Sequence, residues 1–363
     1  MTIYLDNIIY SLQRAGGISV YWSELIKRMV RDNISFMALD EANAINNIFR
    51  ANLKIPEKSL IPSSQLPILI ARYLPHMRKI PSNFIYHSSY YRSPITTKGP
   101  VIQTVYDFTY ERFRSGIPRL LHVLQKHAAL RTADGIICIS QSTKRDLLKF
   151  VPGLNENKIC VIALGYSEDF YPIESSTSKK DRTSVDGIPY LVFVGDRGGY
   201  KNFNLAVEAV EKAGLFKLAI VGGGPLSDSE TQHLKTHLGS NYKHYDRLPN
   251  QELNILYNSA YALIYPSSYE GFGIPVIEAM ASGCPVIALS ASSIPEVAGD
   301  AGLLVEQPIA ENFAEQIRFL DNSDVRKRVI ELGFENIKRF SWEKCYQNTL
   351  NFYDFINKNH KDI

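Results

Sequence analysis

The feature that most constrains the fold of this chain is an alternation, in both halves, of short apolar segments with longer amphipathic ones. Runs of about five β-branched or aromatic residues have the length of buried strands, and the segments between them carry apolar residues at helical spacing. Parallel sheets with crossover helices produce this pattern. We therefore predict an α/β protein with Rossmann-like, doubly wound sheets.

The positions of the elements follow from the same pattern. In the first half, strands are predicted near residues 2–6, 84–87, 101–106 and 135–139, with helices near 18–30, 118–131 and 141–150. In the second half, strands are predicted near 190–194, 217–221, 261–265 and 285–288, with helices near 202–213, 251–258, 273–281 and 309–320. Residues 45–81 fit neither template.

The length of 363 residues indicates two domains, because a single core rarely grows beyond about 250–300 residues. Residues 173–187 are polar and without aromatics, as expected of a linker. We predict domains over 1–172 and 188–340. A helix over 341–356 is rich in aromatics, so we expect the terminal segment 341–363 to return to the first domain.

Composition excludes several classes of protein. Hydrophobic residues make up 45% and charged residues 21% of the chain, and the net charge of +3 is too small for a protein that coats nucleic acid. The four cysteines stand singly, without the paired spacing of a cysteine-ligated zinc site or a redox dithiol, which favours a reducing compartment. The first ten residues do not resemble a signal peptide, and the apolar stretch 66–74 is too short to span a membrane. We expect a cytoplasmic protein.

The densest chemical signal is the segment from Glu270 to Glu278, which follows an apolar strand and opens a helix. Its glycines allow backbone N–H groups at the helix N-terminus to approach an anion. Flanking carboxylates suit a ligand with both phosphates and hydroxyls. The alternative is a capping loop with two solvated glutamates.

Two further motifs fit an anionic ligand. Arg197 and Lys201 follow a strand and would bring two cations to the carboxyl edge of a sheet, as suits a diphosphate. Gly16 and Gly17 precede the first long helix and could offer N–H donors. Each motif alone could be an ordinary glycine turn. A third glycine run resembles a dinucleotide fingerprint but has Ser227 in place of the last glycine, which argues against nicotinamide binding.

In combination these motifs resemble those of glycosyltransferase family 4, nearest to bacterial O-antigen or capsule enzymes, over nearly the whole chain. The resemblance implies the GT-B fold, with two Rossmann-like domains facing a cleft and a C-terminal helix crossing back. It implies an acceptor domain followed by a nucleotide-sugar domain. The expected reaction is retaining transfer of a hexose from a GDP- or UDP-linked donor, with a slight preference for one like GDP-mannose. No metal or other cofactor is expected.

The resemblance also assigns roles to residues of this chain. Glu278 would bind the ribose hydroxyls, Glu270 the donor sugar, and Arg197 and Lys201 the departing diphosphate. The remaining matched positions are substrate-binding through their backbone. These are Gly16, Gly17, Leu248 beside the base, and Phe272, Gly273 and Ile274 beside sugar or phosphate.

One departure from the family concerns the pair Tyr106 and Asp107, where relatives commonly carry histidine and aspartate. A phenol can donate a hydrogen bond to a sugar but cannot become cationic. We therefore treat both residues as catalytic candidates, with Tyr106 positioning substrate. The alternative is an aromatic residue at a strand end.

The segment 61–131 carries ten Lys or Arg against two acids, a net +8. This charge, with Leu66, Ile68, Leu69 and Tyr73, predicts docking on the anionic inner face of a membrane and a glycan or polyprenyl-diphosphate-linked acceptor. A solvated basic face is the alternative. Two other functions stay open: a nucleotide-sugar epimerase, and a non-catalytic nucleotide-sugar or RNA-binding module, although no nucleic-acid partner is expected.

Overall fold

The computed structural model describes residues 2–62, 66–76, 84–95, 99–173 and 187–360. The chain divides into two compact units, residues 1–165 with 342–363, and residues 166–341. Each unit is built on one sheet whose described strands are all parallel. The predicted α/β class is confirmed.

The first unit contains a seven-stranded sheet in the order β3-β2-β1-β4-β5-β6-β7. Its strands are β1 (Thr2–Asp6), β2 (Phe36–Asp40), β3 (Leu60–Pro62), β4 (Phe84–Ser88), β5 (Val101–Val105), β6 (Gly135–Cys138) and β7 (Ile159–Val161). Its helices before the second unit are α1 (Ile9–Leu12), α2 (Gly17–Arg31), α3 (Ile48–Ala51), α4 (Ile68–Ala71), α5 (Thr109–Phe113), α6 (Gly116–Thr132) and α7 (Gln141–Phe150). Strands β4, β5 and β6 are buried throughout, as strands covered on both faces must be.

The second unit contains a six-stranded sheet in the order β10-β9-β8-β11-β12-β13. Its strands are β8 (Tyr190–Val194), β9 (Lys217–Val221), β10 (Tyr242–Tyr245), β11 (Ala262–Tyr265), β12 (Val286–Leu289) and β13 (Gly302–Val305). Its helices are α8 (Phe203–Ala213), α9 (Asp228–Leu238), α10 (Asn250–Ser259), α11 (Ile274–Ala281), α12 (Ile294–Ala298), α13 (Ala310–Phe319) and α14 (Ser323–Ile337). The order of strands reverses between β8 and β11, and such a switch point is where doubly wound sheets bind ligands.

The last helix, α15 (Trp342–Asn359), belongs to the first unit, as predicted for a returning segment. The hydroxyl of Tyr353 lies 2.6 Å from Nδ1 of His87 on β4, and Glu343 forms an ion pair with Arg31 of α2 at 2.8 Å. Burial lowers the pKa of His87 to about 3, so its ring is neutral near pH 7. None of the helices in the described ranges has the length and apolarity needed to cross a membrane.

Some of the elements that were not predicted are short or half-exposed. Strand β10 carries Lys243 and His244 at a half-exposed edge, so it lacks an apolar run. Strand β3 and helix α4 are only three and four residues long and fall in the region without a clear pattern. The proposed linker falls largely on residues 174–186, outside the described residues.

Candidate functional site

An ion pair lies at the switch point of the second sheet. Lys201 follows β8, Glu270 follows β11, and Nζ of the lysine is 2.5 Å from Oε1 of the glutamate. Each side chain is only 12% exposed. Burial lowers the pKa of Lys201, but the adjacent carboxylate raises it by more, so its pKa lies above the ordinary value and the ammonium stays charged. The sheet thus presents a fixed cation and a fixed carboxylate together.

The loops that carry this pair are tied to one another by Asn202. This residue has a left-handed backbone conformation, with φ of 52°, and precedes α8. Its Nδ2 donates to the carbonyl of Pro266 at 2.8 Å and to Oγ of Ser268 at 2.6 Å. The backbone N–H of Ser268 donates to the carbonyl of Tyr200 at 2.8 Å. The Lys201–Glu270 ion pair is therefore carried by two loops that are hydrogen-bonded to each other.

The Glu270 loop is also fixed from the segment after β12. The N–H of Glu270 donates to Oγ of Ser292 at 2.7 Å, and the hydroxyl of Ser293 donates to the carbonyls of Glu270 and Phe272 at 3.0 and 2.8 Å. Asn202, Ser292 and Ser293 were not predicted as residues of the site. Asn202 could have been predicted as a site residue because it is next to Lys201 in the sequence, but nothing in the sequence singles out the two serines.

Helix α11 begins directly after this loop, and Gly273 is its N-cap residue. The φ of Gly273 is +104°, which favours glycine, and a Cβ there would lie 2.7 Å from Cδ1 of Ile294, so that side chain would have to move. No side chain caps the helix, and Ile274 is its first residue. Phe272 is buried and packs edge-on against Phe340. The helix N-terminus is thus brought to the edge of the sheet where anions are favourably bound.

Glu278 lies on the second turn of α11. Burial raises its pKa to about 8. Its carboxyl makes no hydrogen bond or ion pair with any residue in the described ranges. Glu278 is half-buried. A carboxyl that is partly removed from water without a partner is costly, and hydroxyl donors from a ligand would compensate it. Leu248, half-buried, lies after β10 in the loop before α10, also at the carboxyl edge of the sheet.

Comparisons with known proteins agree with this geometry. A family model described as "Glycosyltransferase Family 4" matches residues 15–170, and one described as "Glycosyl transferases group 1" matches residues 174–336. This chain belongs to glycosyltransferase family 4. It is similar to O-antigen chain mannosyltransferase B of Escherichia coli, with 26% identity over 94% of this chain and 96% of that protein.

The fold of this family 4 glycosyltransferase is GT-B, as predicted. Sucrose-phosphate synthase from Thermosynechococcus elongatus matches with a TM-score of 0.73 at 18% identity, over 98% of this chain and 99% of that one. The Anabaena protein HepE, solved with UDP-glucose, matches with a TM-score of 0.70 at 15% identity over the full length of both chains.

Arg197 makes several polar contacts within the second unit of this glycosyltransferase, and its role at the diphosphate stays a prediction. It donates to Oε1 of Glu230 at 2.8 Å and to the carbonyls of residues 222–225 at 2.6 to 3.2 Å. Its side chain is 4% exposed. Arg197 therefore holds the glycine loop after β9, and Ser227 caps α9 with Glu230 in a capping box.

Tyr106 and Asp107 follow directly after β5. The hydroxyl of Tyr106 is buried, without a hydrogen-bond partner among the residues described, and its ring packs edge-on against Tyr21 at 5.7 Å. Tyr106 is therefore packed among core aromatics, and its role in positioning substrate stays a prediction. The carboxylate of Asp107 accepts from the N–H of Thr109 at 2.9 Å and starts α5.

The glycines of the first unit lie where predicted. Gly16 precedes α2 and Gly17 is its first residue, with no side chain capping the helix. A Cβ added at Gly17 would meet nothing within 4 Å, whereas one at Gly16 would lie 2.6 Å from Oε1 of Gln13. The side chain of Gln13 therefore lies against the backbone just before this helix.

The basic segment 61–131 is not one cationic face. Arg92 is buried in ion pairs with Asp6 and Glu41, both at 2.6 Å, and Lys126 is buried against Glu111 at 3.0 Å. These pairs satisfy charges inside the unit and leave them unavailable to a membrane. Three further members, Arg78, Lys79 and Lys98, lie outside the described residues.

Proposed function

We propose that this enzyme transfers a hexose, with retention, from a nucleoside-diphosphate sugar to a glycan hydroxyl in the synthesis of a cell-surface polysaccharide of the O-antigen type. The observation that carries the proposal is the half-buried Glu278, which has no partner among the described residues, on the helix that follows the loop of the Lys201–Glu270 ion pair at the switch point. These groups match a ligand with vicinal hydroxyls at one end and a diphosphate at the other.

Each group has a defined part in this proposal. Glu278 accepts hydrogen bonds from the ribose hydroxyls, and the backbone at Leu248 contacts the base. Lys201 and the N-terminus of α11 bind the diphosphate, whose charge grows as it departs. Glu270 orients both Lys201 and the donor sugar. Gly16 and Gly17 offer backbone N–H groups from the start of α2.

The bond changes are those of a retaining transfer. The bond between the anomeric carbon and the phosphate oxygen breaks, and the acceptor oxygen bonds the same face of that carbon. The acceptor proton passes to the departing phosphate oxygen. Lys201 stabilises that oxygen as it becomes negative. No step requires a metal ion or a cationic side chain at the position of Tyr106.

We favour a GDP-mannose-type donor. The full-length similarity to an O-antigen chain mannosyltransferase supports this choice. A UDP-linked donor is the alternative, because HepE was solved with UDP-glucose and shares the fold.

The acceptor side of the proposal rests on an exposed apolar stripe. Ile117, Leu120, Leu121 and Leu124 of α6 are 45 to 72% exposed. At 100° per residue they span about 100° of the helix surface. Leu121 also lines a groove of about 520 Å³ with Tyr73 and Leu74. A stripe of this width is typical of helices that lie in a membrane interface.

The charge around the stripe favours an anionic leaflet. Arg114 is exposed just before α6, Arg119 lies on the helix itself, and Arg112 is partly exposed while paired with Asp146. The only acid between residues 108 and 132 is Glu111, which is buried. We therefore propose that α6 docks on the inner face of the membrane and that the acceptor is lipid-linked.

A donor panel tests the proposed reaction. Thermal unfolding is measured with GDP, UDP and ADP and with their sugars, and transfer to a synthetic polyprenyl-diphosphate glycan is followed with the donor that binds best. A ligand at 100 times its dissociation constant adds about 2.7 kcal/mol to the unfolding free energy. Conversion of the free donor to an epimer without acceptor would identify an epimerase, and salt-sensitive RNA binding without donor binding would identify a binding module.

Vesicle flotation tests the membrane step separately. The Leu120→Glu and Leu124→Glu double variant should lose binding to vesicles that contain anionic lipid, while nucleotide binding in the second unit is retained. Leu215→Glu is the matched control, because Leu215 is 69% exposed in the second unit. Equal flotation of wild type with anionic and neutral vesicles would refute docking and leave the transferase proposal standing.

A further inference from the structure

A second cluster of ligand groups lies on the helices α8 and α9. His233 and His237 are four residues apart on α9 and so lie on one face of that helix. Glu208 and Glu211 are three residues apart on α8 and share a face in the same way. One ligand atom each of Glu208, His233 and His237 lies within 4.8 Å of the others. The two imidazole rings are 4.4 Å apart between centroids.

The hydrogen bonding of His237 favours metal ligation. Its Nδ1 is 2.6 Å from Oε2 of Glu211, and a carboxylate can only accept, so the proton is on Nδ1. Nε2 is then left with a free lone pair for a cation. A carboxylate that orients a ligating histidine through its other nitrogen is a common arrangement in zinc sites.

His233 supplies the independent observation. Its Nε2 is buried and has no hydrogen-bond partner in the part of the chain that the structure describes. A buried ring nitrogen without a hydrogen-bond partner destabilises the folded protein unless a ligand bonds to it. The carboxylate of Glu208 likewise forms no ion pair or hydrogen bond with the described residues, although it faces both histidines. A cation among these three residues would satisfy both.

We propose that Glu208, His233 and His237 form a site for a divalent transition-metal ion, Zn²⁺ by preference, with Glu211 as the positioning residue. Two imidazoles and one carboxylate are a ligand set that zinc commonly takes, with water completing a tetrahedron. Ligand atoms around such an ion lie about 3.3 Å apart, so the side chains must move together from their present separations of up to 4.8 Å when the ion binds. The three residues are half-buried, which leaves the ion access from solvent.

The ion would fasten two helices that begin at the donor site. Helix α8 follows Lys201 and Asn202. The first turn of α9 contains Glu230, which binds Arg197. The ligands themselves lie further along both helices, away from these loops. The site is therefore structural, does not depend on the proposed function, and takes no part in transfer.

The test uses the full-length enzyme after removal of metal with a chelator. Zinc is titrated in competition with a chromophoric chelator, and thermal unfolding is followed on the same samples. We expect one Zn²⁺ per chain, a rise in the midpoint of unfolding, and the absorption of a tetrahedral complex when Co²⁺ is used. His233→Ala and His237→Ala should each weaken binding at least about 100-fold, and Glu211→Gln about 10–100-fold.

His360→Ala is the control, because His360 is a partly exposed histidine in the other unit and its loss should leave the affinity unchanged. Glu208→Gln keeps the size of the side chain, so a weaker site in that variant cannot be ascribed to misfolding. The proposal is overturned if wild type takes up no zinc, or if the His233 and His237 variants bind zinc as tightly as wild type.

Discussion

Nζ of Lys201 lies 2.5 Å from Oε1 of Glu270, although the two residues are 69 positions apart in the chain. The ammonium also lies 5.5 and 5.6 Å from the ring centroids of Tyr200 and Tyr265. A buried cation of this kind is held before any ligand arrives. Preorganised charge is what stabilises a departing diphosphate most effectively.

Replacing Lys201 with alanine should therefore lower kcat about 100-fold or more and change donor affinity much less. The reason is that negative charge on the leaving group is greatest in the transition state. Steady-state kinetics with varied donor measures both quantities. Lys327→Ala, which removes a 73% exposed lysine of the same unit, is the matched control. A rise in KM with an unchanged kcat would contradict the role.

The second prediction concerns Glu278 and donor binding. Loss of a charged hydrogen-bond acceptor, as in Glu278→Gln, should weaken nucleoside-diphosphate binding about 10–100-fold. Because its pKa in the unliganded protein is raised to about 8, wild-type affinity should increase as the pH rises from 6 to 9, and the variant should lack this dependence. Isothermal titration at several pH values measures both. If the nucleoside diphosphate without its sugar binds the variant as tightly as wild type, Glu278 is not part of the binding site.

The same residue predicts how stability depends on pH. The folded-state pKa of Glu278 lies above its unfolded value, so the folded protein holds the proton more tightly. The contribution of this carboxyl to the unfolding free energy is complete below about pH 4.5 and is lost as the pH rises to about 8. Glu278→Gln should therefore be more stable than wild type at pH 8, and the two should converge toward pH 5. Denaturant unfolding at both pH values tests this; a difference that does not vary with pH would contradict it.

Gly223 offers a test of the role of Arg197. A Cβ at Gly223 would lie 2.4 Å from Nη1 of Arg197, whereas a Cβ at Gly224 would meet nothing within 4 Å. Both glycines have positive φ, at 77° and 68°, so both alanine variants carry similar backbone strain. Gly223→Ala should lower the unfolding free energy by about 1 kcal/mol or more beyond Gly224→Ala, because it displaces the guanidinium. Equal stabilities of the two variants would show that Arg197 does not hold the loop.

Tyr106→Phe should leave catalysis intact. The hydroxyl that it removes is buried and has no hydrogen-bond partner within the described ranges, so its loss should be neutral or stabilise the fold by up to about 1 kcal/mol. Transfer rate and thermal unfolding measure the two effects. A fall in kcat of tenfold or more would restore Tyr106 as a substrate-positioning residue.

Periodicity in the sequence determined the larger elements of this protein. Strands β1, β8 and β9 and helix α7 begin and end at the predicted residues, because a buried parallel strand is mostly apolar and an amphipathic helix keeps one apolar face. Edge strand β10 and the short elements between residues 45 and 81 escaped prediction, since half-exposed or three-residue segments impose no such pattern. Strands β2, β7 and β13 and helices α9 and α14 were not predicted either.

The sequence by itself also determined which residue types meet at the proposed donor site, because carboxyl ends of parallel strands meet at one edge of a sheet. Only the tertiary structure decided what each side chain does there. Lys201 and Arg197 look alike in sequence, yet one pairs with Glu270 and the other with the carbonyls of residues 222–225. Likewise the burial of the Tyr106 hydroxyl depends on the packing of Tyr21 from another element. The physical reason is that hydrogen bonds and desolvation depend on neighbours distant in sequence, which local pattern does not encode.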